Sequence, residues 1–441
     1  MHAMRLIPPL DCREEVAQRL QAITDHQHLN AILGVNPDAM AIAEQYHQLR
    51  RRGSLTGALH GVPVIVKDNI ACASWPITLG CKGLSSLRAV SDAPVIQRLR
   101  AAGAIILARA NMSEFAFDIR SRSSLGGDVR NPLKPSVTAG GSSGGCAAAV
   151  VAGMADGALG TDTGGSIRIP CSYTGLVGLR PAYRRTMLEG VAPLSLSKDT
   201  VGPMVHCVRD AALLHAIIHG EQLIEPEALS LKSVRLGVIS ALEGEDTAQR
   251  KVWHLALDRL RMAGATLIEL DLPILADVKS QDCLSLYEFQ VAINGWFALQ
   301  HNGPSSLQAL MSSGECLAEF YPLLEQMLKT NHLKTPQWLS GRRFQRSLYQ
   351  AIHHAAEAGR IDAFVYPTVN RQPISLEKMP PGSAPELAAI SGLPALTMPC
   401  GAVKDGLPVG MELLAKRRDE HFLLSLALAC ENALHPLIEP S

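Results

Sequence analysis

The chain has 441 residues, of which 47% are hydrophobic and 19% charged, enough apolar material for a sizeable core and too much for a disordered chain. Lys plus Arg and Asp plus Glu balance at 41 each, so there is no basic excess for nucleic acid and no polybasic tail for a membrane surface. No uninterrupted apolar run reaches the roughly 18 residues of a spanning helix, and the opening MHAMRLIPPLDCREEV lacks the apolar centre of a signal peptide.

In chain order, residues 13–52 read as helical, through REEVAQRLQAI and then PDAMAIAEQYHQLRRR, stopping before Gly53. GVPVIVKDNI (61–70) is a buried-strand pattern that runs into a polar turn. APVIQRLRAAGAIILARANM (93–112) is a helix, a glycine stop and a β-type run. RNPLKPSVTA, with two prolines, reads as loop. A small-residue helix follows over 144–153, then a short strand in ADGALGTDT that feeds a glycine turn. Alternation continues with SVRLGVIS, a helix over 246–263 and ATLIELDL (265–272). Residues 275–350 read as mostly helical. Strands return at 362–369, 393–400 and 407–415, and a helix from about Asp419 closes the chain. This alternation predicts one α/β domain over residues 1–441, with a large mixed sheet covered by helices on both faces.

The chemistry concentrates in TAGGSSGGCAAAVVAGMADGALGTDTGGSIRIP, which carries Gly-Gly-Ser twice. Successive glycine N–H groups ahead of a helix make a concave donor surface, suited to an oxyanion or equally to a phosphate nest or plain turn. Gly141-Ser142-Ser143-Gly144-Gly145 fits the G-x-S-x-G elbow, but that elbow needs a strand before it and a partner histidine. No P-loop motif occurs, and Ser375–Lys378 matches S-x-x-K only inside a proline-rich loop. With no placed histidine, lysine is the next base for a serine nucleophile. Lys67 ends an apolar strand, where an ammonium group is expected only if paired or functional; an ion pair with Asp68 is the plain alternative. The ten cysteines stand singly without a C-x-x-C, and none of the 15 histidines lies in H-E-x-x-H, so neither metal nor cofactor is expected. Scattered cysteines point to reduced thiols and a cytoplasmic setting.

Lys67, Ser142 and Ser166, with HGVPVIVKDNI, ARANMSEFAF, GGSSGG, GTDTGGSIRIP, TGLVGLRP, DTVGPM, YPTV and GLPVGMELL, resemble the amidase signature family. The resemblance is dense over 55–210 and scattered in the last third. It implies an amidohydrolase in which Ser166 is the nucleophile, Ser142 a bridging serine reached through a cis peptide from Gly141, and Lys67 the base. The oxyanion hole would come from Thr163, Gly164, Gly165 and Ser166. Asn111, Met112, Gly141, Ser143, Asp162 and Arg168 would support the site or the substrate, and Cys146 would be packing. Arg120 and Arg122, in a loop where relatives often carry Asn-Pro-His, are either solvated or face an anionic substrate.

LSLSKDTVGPM and the length most resemble indoleacetamide and arylacetamide hydrolases, which implies a small primary amide as substrate, with no nucleic-acid or membrane partner and with a homodimer left open. Residues 275–350 are expected to shape the pocket, with Tyr287, Phe289, Trp296 and Phe297 either lining it or in the core. Two alternatives stand beside this: the glutaminase component of a tRNA-dependent amidotransferase, and a non-catalytic binding protein on the same fold.

Overall fold

A computed structural model describes residues 3–281, 284–330, 333–378 and 386–438. Its centre is an eleven-stranded mixed sheet. In chain order the strands are β1 (Ile32–Val35), β2 (Pro63–Lys67), β3 (Ile105–Ala110), β4 (Gly157–Asp162), β5 (Val177–Arg180), β6 (Thr200–Val205), β7 (Arg235–Val238), β8 (Thr266–Glu269), β9 (Ala363–Pro367), β10 (Ala395–Ala402) and β11 (Pro408–Ala415). In space they run β1-β3-β2-β4-β6-β5-β10-β11-β9-β7-β8. β2 pairs in parallel with both β3 and β4, whereas β4 pairs antiparallel with β6.

Both faces of the sheet are covered. Val64 and Val66 of β2 point into one apolar cluster, shared with the helices Val208–His219 and Glu420–Ile438. Ile65 between them points into another, shared with the helices Cys12–Asp25 and Gly144–Val151. This is the period-two alternation of a strand with helices on both sides. Gly144–Val151 is buried around its whole circumference, which is why its sequence is small and apolar instead of amphipathic. A β-carbon on Gly145 would stand 2.2 Å from the Asn111 carbonyl oxygen and 2.6 Å from that of Ala31.

Two expectations need correction. The stretch 13–52 is not continuous helix: Asn30 turns left-handed after Gln27–Leu29, and β1 then pairs antiparallel with β3. Four residues are too few to show a period, and half-buried ILGV was masked by the helices on either side. RNPLKPSVTA is a small hairpin, Arg130–Asn131 with Lys134–Thr138, instead of loop. Its prolines fit because Pro132 lies in the turn and Pro135 on an exposed edge. The hairpin stands apart from the main sheet. β5 lies inside TGLVGLRP, and β6 starts inside DTVGPM and ends one residue beyond it; glycine and proline there hide the strand pattern.

Candidate active site

Parallel pairing of β2 with β4 brings the ends of two buried strands together, one ending in Lys67 and the other in Thr161-Asp162. Lys67 has no exposed surface. Its Nζ lies 2.7 Å from Ser142 Oγ and 2.7 Å from Thr161 Oγ1. Asn69 Nδ2 donates to the same threonine oxygen at 3.1 Å. Asp68 is not the counter-ion: its carboxylate takes Arg109, the Thr78 hydroxyl and the Thr78 N–H. No carboxylate forms an ion pair with Lys67 among the described residues. Burial therefore dominates and lowers its pKa to about 7, with only distant help to the charged form from Cys146, Asp162 and Asp199.

Ser142 follows a cis peptide from Gly141, and its carbonyl accepts from Ser113 N–H at 3.1 Å. A β-carbon on Gly141 would meet Ser121 N at 2.7 Å, so the residue before Ser142 has to be glycine. Ser143 turns away: its Oγ donates to the Thr161 carbonyl at 3.1 Å and accepts Thr161 N–H at 3.3 Å. Among the described residues no histidine hydrogen-bonds to it, as an elbow serine would require. Its own N–H donates to the Ser166 carbonyl at 3.2 Å, which ties the two Gly-Gly-Ser blocks together. No hydrogen bond joins the hydroxyls of Ser142 and Ser166 among the described residues.

Ser166 lines a cavity of about 410 Å³ together with Thr163, Gly164, Phe117, Lys198 and Glu386. Ser142 and Lys67 do not line it and have no exposed surface. In the glycine turn the N–H groups of Thr163, Gly164 and Ser166 have no hydrogen-bond acceptor among the described residues, whereas Gly165 N–H is engaged by Asp162 Oδ1 at 3.0 Å. Three of the four expected oxyanion donors are thus open and one is structural.

Asp162 organises this turn. Its carboxylate also accepts Ile167 N–H at 3.1 Å, Arg168 Nε at 3.1 Å and Arg180 Nη1 at 2.8 Å. Burial opposes its charge, but the two guanidiniums and the turn N–H groups hold its pKa well below the carboxylate range. Arg168 continues to Glu412, which Tyr366 Oη also reaches at 2.9 Å. Arg168, Arg180, Asp162 and Glu412 are all fully buried, and the quartet balances its charge. Thr163 Oγ1 donates to Asp199 at 2.6 Å. Burial pushes Asp199 up to about 6 despite N–H groups from Leu194 and Ser195.

The remaining predicted residues lie away from the cavity. Asn111 is buried scaffold: Nδ2 donates to the carbonyls of Asn30 and Gly127, and Oδ1 accepts Met112 N–H and Ser123 Oγ. Met112 is fully buried. Arg120 pairs with Asp118 and Glu319, each at 2.8 Å, and Arg122 with Asp128. Neither guanidinium lines the cavity. Cys146 is packed, and burial raises its thiol to about 12.

Phe289, Trp296 and Phe297 are core. The cavity's aromatic wall is Phe117, which has Phe289 edge-on behind it at 4.8 Å. Segment 275–350 contributes Ser285, Leu286, Leu323 and Met327. A larger concavity of about 1090 Å³, with Arg342, Arg346 and Arg418 on its walls, contains none of the predicted site residues.

Thr161, Arg180, Asp199 and Glu412 were not anticipated. Glu412 had a signal: a lone acid inside the apolar strand PVGMELLA is the same kind of anomaly that exposed Lys67.

A family model described as Amidase matches residues 14–424. Among curated proteins, the A component of the glutamyl-tRNA(Gln) amidotransferase from Koribacter versatilis is 31% identical over 92% of this chain and 91% of its own length. An indoleacetamide hydrolase from Agrobacterium vitis is 29% identical over 96% and 94%. Among solved structures, a native peptide amidase from Stenotrophomonas maltophilia superposes with a TM-score of 0.88 at 32% identity, covering 97% of this chain and 94% of that one.

Proposed function

Because the chain belongs to the amidase family, we propose that it hydrolyses a small primary carboxamide to carboxylate and ammonia through an acyl-enzyme on Ser166. One observation carries this reading: a fully buried lysine without a counter-ion among the described residues, 2.7 Å from the hydroxyl of Ser142, whose neighbour Ser143 is tied through its N–H to the carbonyl of Ser166, the serine that opens onto a cavity. Such a lysine costs stability and makes sense as a base.

The proposed steps use this arrangement once the hydroxyls of Ser142 and Ser166 have closed to hydrogen-bonding distance. Neutral Lys67 donates one N–H to Thr161 Oγ1, which turns its lone pair toward Ser142. Lys67 takes the Ser142 proton as Ser142 takes that of Ser166, and Ser166 Oγ attacks the amide carbon. The oxyanion is met by the open N–H groups of Thr163, Gly164 and Ser166; one such donor is worth about 3–4 kcal/mol of barrier. The proton returns along the same hydroxyls to the nitrogen, the C–N bond breaks and ammonia leaves. Water then attacks the acyl carbon, giving its proton to the same relay, and Ser166 is released with its proton restored.

The cavity suits an acyl group with an apolar body, which Phe117, Leu286, Leu323 and Met327 would contact, and a polar end near Lys198 and Glu386. Arylacetamides supply the apolar body, and those with an indole N–H or a polar ring substituent would also meet the polar end. The test is a panel of primary amides scored for ammonia release, with Ser166→Ala as blank; equal release by that variant refutes the reading. The glutaminase component of an amidotransferase is the second reading, favoured by the amidotransferase relatives. Ammonia from glutamine only when the partner proteins are added supports it, and arylacetamide turnover by the lone chain opposes it.

A further inference from the structure

We propose that His215, His219 and Glu221 form a binding site for a divalent transition-metal ion of the zinc type, which the exposed His421 completes by turning its ring toward them, independent of the hydrolytic reading. His215 and His219 lie four apart on the helix Val208–His219 and so share one face; their ring centroids are 4.2 Å apart. Gly220 ends the helix left-handed, at φ 67°, and folds Glu221 back beside the last turn. His421 comes from the first turn of the helix Glu420–Ile438.

His215 Nε2 stands 3.6 Å from Glu221 Oε2, and His421 Nε2 stands 3.7 Å from the same oxygen. Both are too long for hydrogen bonds. They are near the edge of a tetrahedron of ligands, about 3.4 Å for bonds of about 2.1 Å. His215, His219 and Glu221 each offer a ligand atom, all within 4.8 Å of one another.

The second observation is independent of these distances. Both ring nitrogens of His215, which is 1% exposed, and Nε2 of His219 are buried without a hydrogen-bond partner. A neutral imidazole always presents one N–H and one lone pair, so His215 leaves both unmet among the described residues. A metal ion takes the lone pair.

The remaining charges leave room for the ion. Arg184 donates to Glu221 Oε1 at 3.0 Å and to Glu420 Oε2 at 3.3 Å, so Glu221 Oε2 stays open. Its longer contact to His219 Nδ1, 3.4 Å, is given up when that ring binds through Nε2 and carries its proton on Nδ1. A cavity of about 230 Å³ lined by His215 and His421 provides the path inward. HAIIHGE spaces the ligands as H-x-x-x-H-x-E, which a search for H-E-x-x-H passes over.

The test uses the full chain without a histidine tag, stripped with a chelator, desalted after exposure to Zn²⁺ and assayed for zinc by mass spectrometry and titration calorimetry. One zinc per chain is expected. His421→Ala removes a side chain that is 56% exposed, so the core stays intact. It should weaken binding by more than the roughly 10–100-fold that loss of a mere supporting group costs. Glu221→Gln should act in the same direction, while His254→Ala, 53% exposed, should change nothing. No stoichiometric zinc in the wild type, or wild-type affinity in both His421→Ala and Glu221→Gln, overturns the site. Ammonia release plays no part in the readout, so failure here leaves the amidase reading standing, and the reverse.

Discussion

Replacing Lys67 by methionine should abolish hydrolysis and yet change the stability at neutral pH by no more than about 2 kcal/mol. Burial lowers the pKa of Lys67 from 10.5 to about 7. In the unfolded chain the amine is protonated up to its ordinary pKa. Between that value and about 7 the unfolded state therefore binds a proton that the folded state refuses, and folding is penalised. At pH 7 the penalty is about 4 kcal/mol, and by pH 9 about 2 kcal/mol remains. Methionine has similar length and no charge, so it removes the penalty. In exchange, the hydroxyls of Ser142 and Thr161 lose their partner at 2.7 Å, which costs about 1–3 kcal/mol each. The net change at pH 7 then lies within about 2 kcal/mol of zero, in either direction. Urea unfolding of both proteins across this range is the assay. The wild type should gain about 2 kcal/mol on the variant from pH 7 to pH 9, while ammonia release by the variant falls at least about 10³-fold. A stability difference that ignores pH in this window, or a variant several kcal/mol weaker throughout, refutes a lysine held neutral by burial.

Four more outcomes follow from the same geometry. With the base at about 7, kcat/KM of the wild type should rise roughly tenfold per pH unit below that value and level off above about pH 8; a flat profile from pH 5 to pH 8 contradicts Lys67 as the base. Thr161→Val removes the hydroxyl that orients Lys67 and should lower kcat by about 10–100-fold with KM little changed, because the side chain lies behind the cavity; an effect on KM alone would place it elsewhere. Arg168→Met leaves Asp162 and Glu412 buried without their shared partner, a loss of about 3–5 kcal/mol that should appear as a large drop in Tm or as insoluble protein. Arg120→Ala should not alter the preference between an anionic amide and its neutral isostere, since the guanidinium is engaged by Asp118 and Glu319; a selective loss of the anionic substrate would show that it turns into the cavity.

The amino-acid sequence by itself determined the fold class and the polar groups of the site. A strand buried on both faces needs a continuous apolar run, so a lysine at the end of VPVIVK is conspicuous without any coordinates. Glycine before Ser142 and in the turn before Ser166 is likewise legible, because only glycine tolerates such close backbone approach. Tertiary structure decided which of these groups meet and which remain free. Thr161 became the lysine's partner only through parallel pairing of two strands far apart in sequence, and Asp68 lost that role because Arg109 and Thr78 reached it first. Gly165 N–H was taken by Asp162, and Arg120 and Arg122 by carboxylates, so residues of suitable chemistry were excluded from the cavity. The histidine cluster exists only where a left-handed glycine and a distant helix converge. Local pattern reports what a side chain can do, whereas its partner is set by long-range packing, where hydrogen-bond and charge satisfaction are decided.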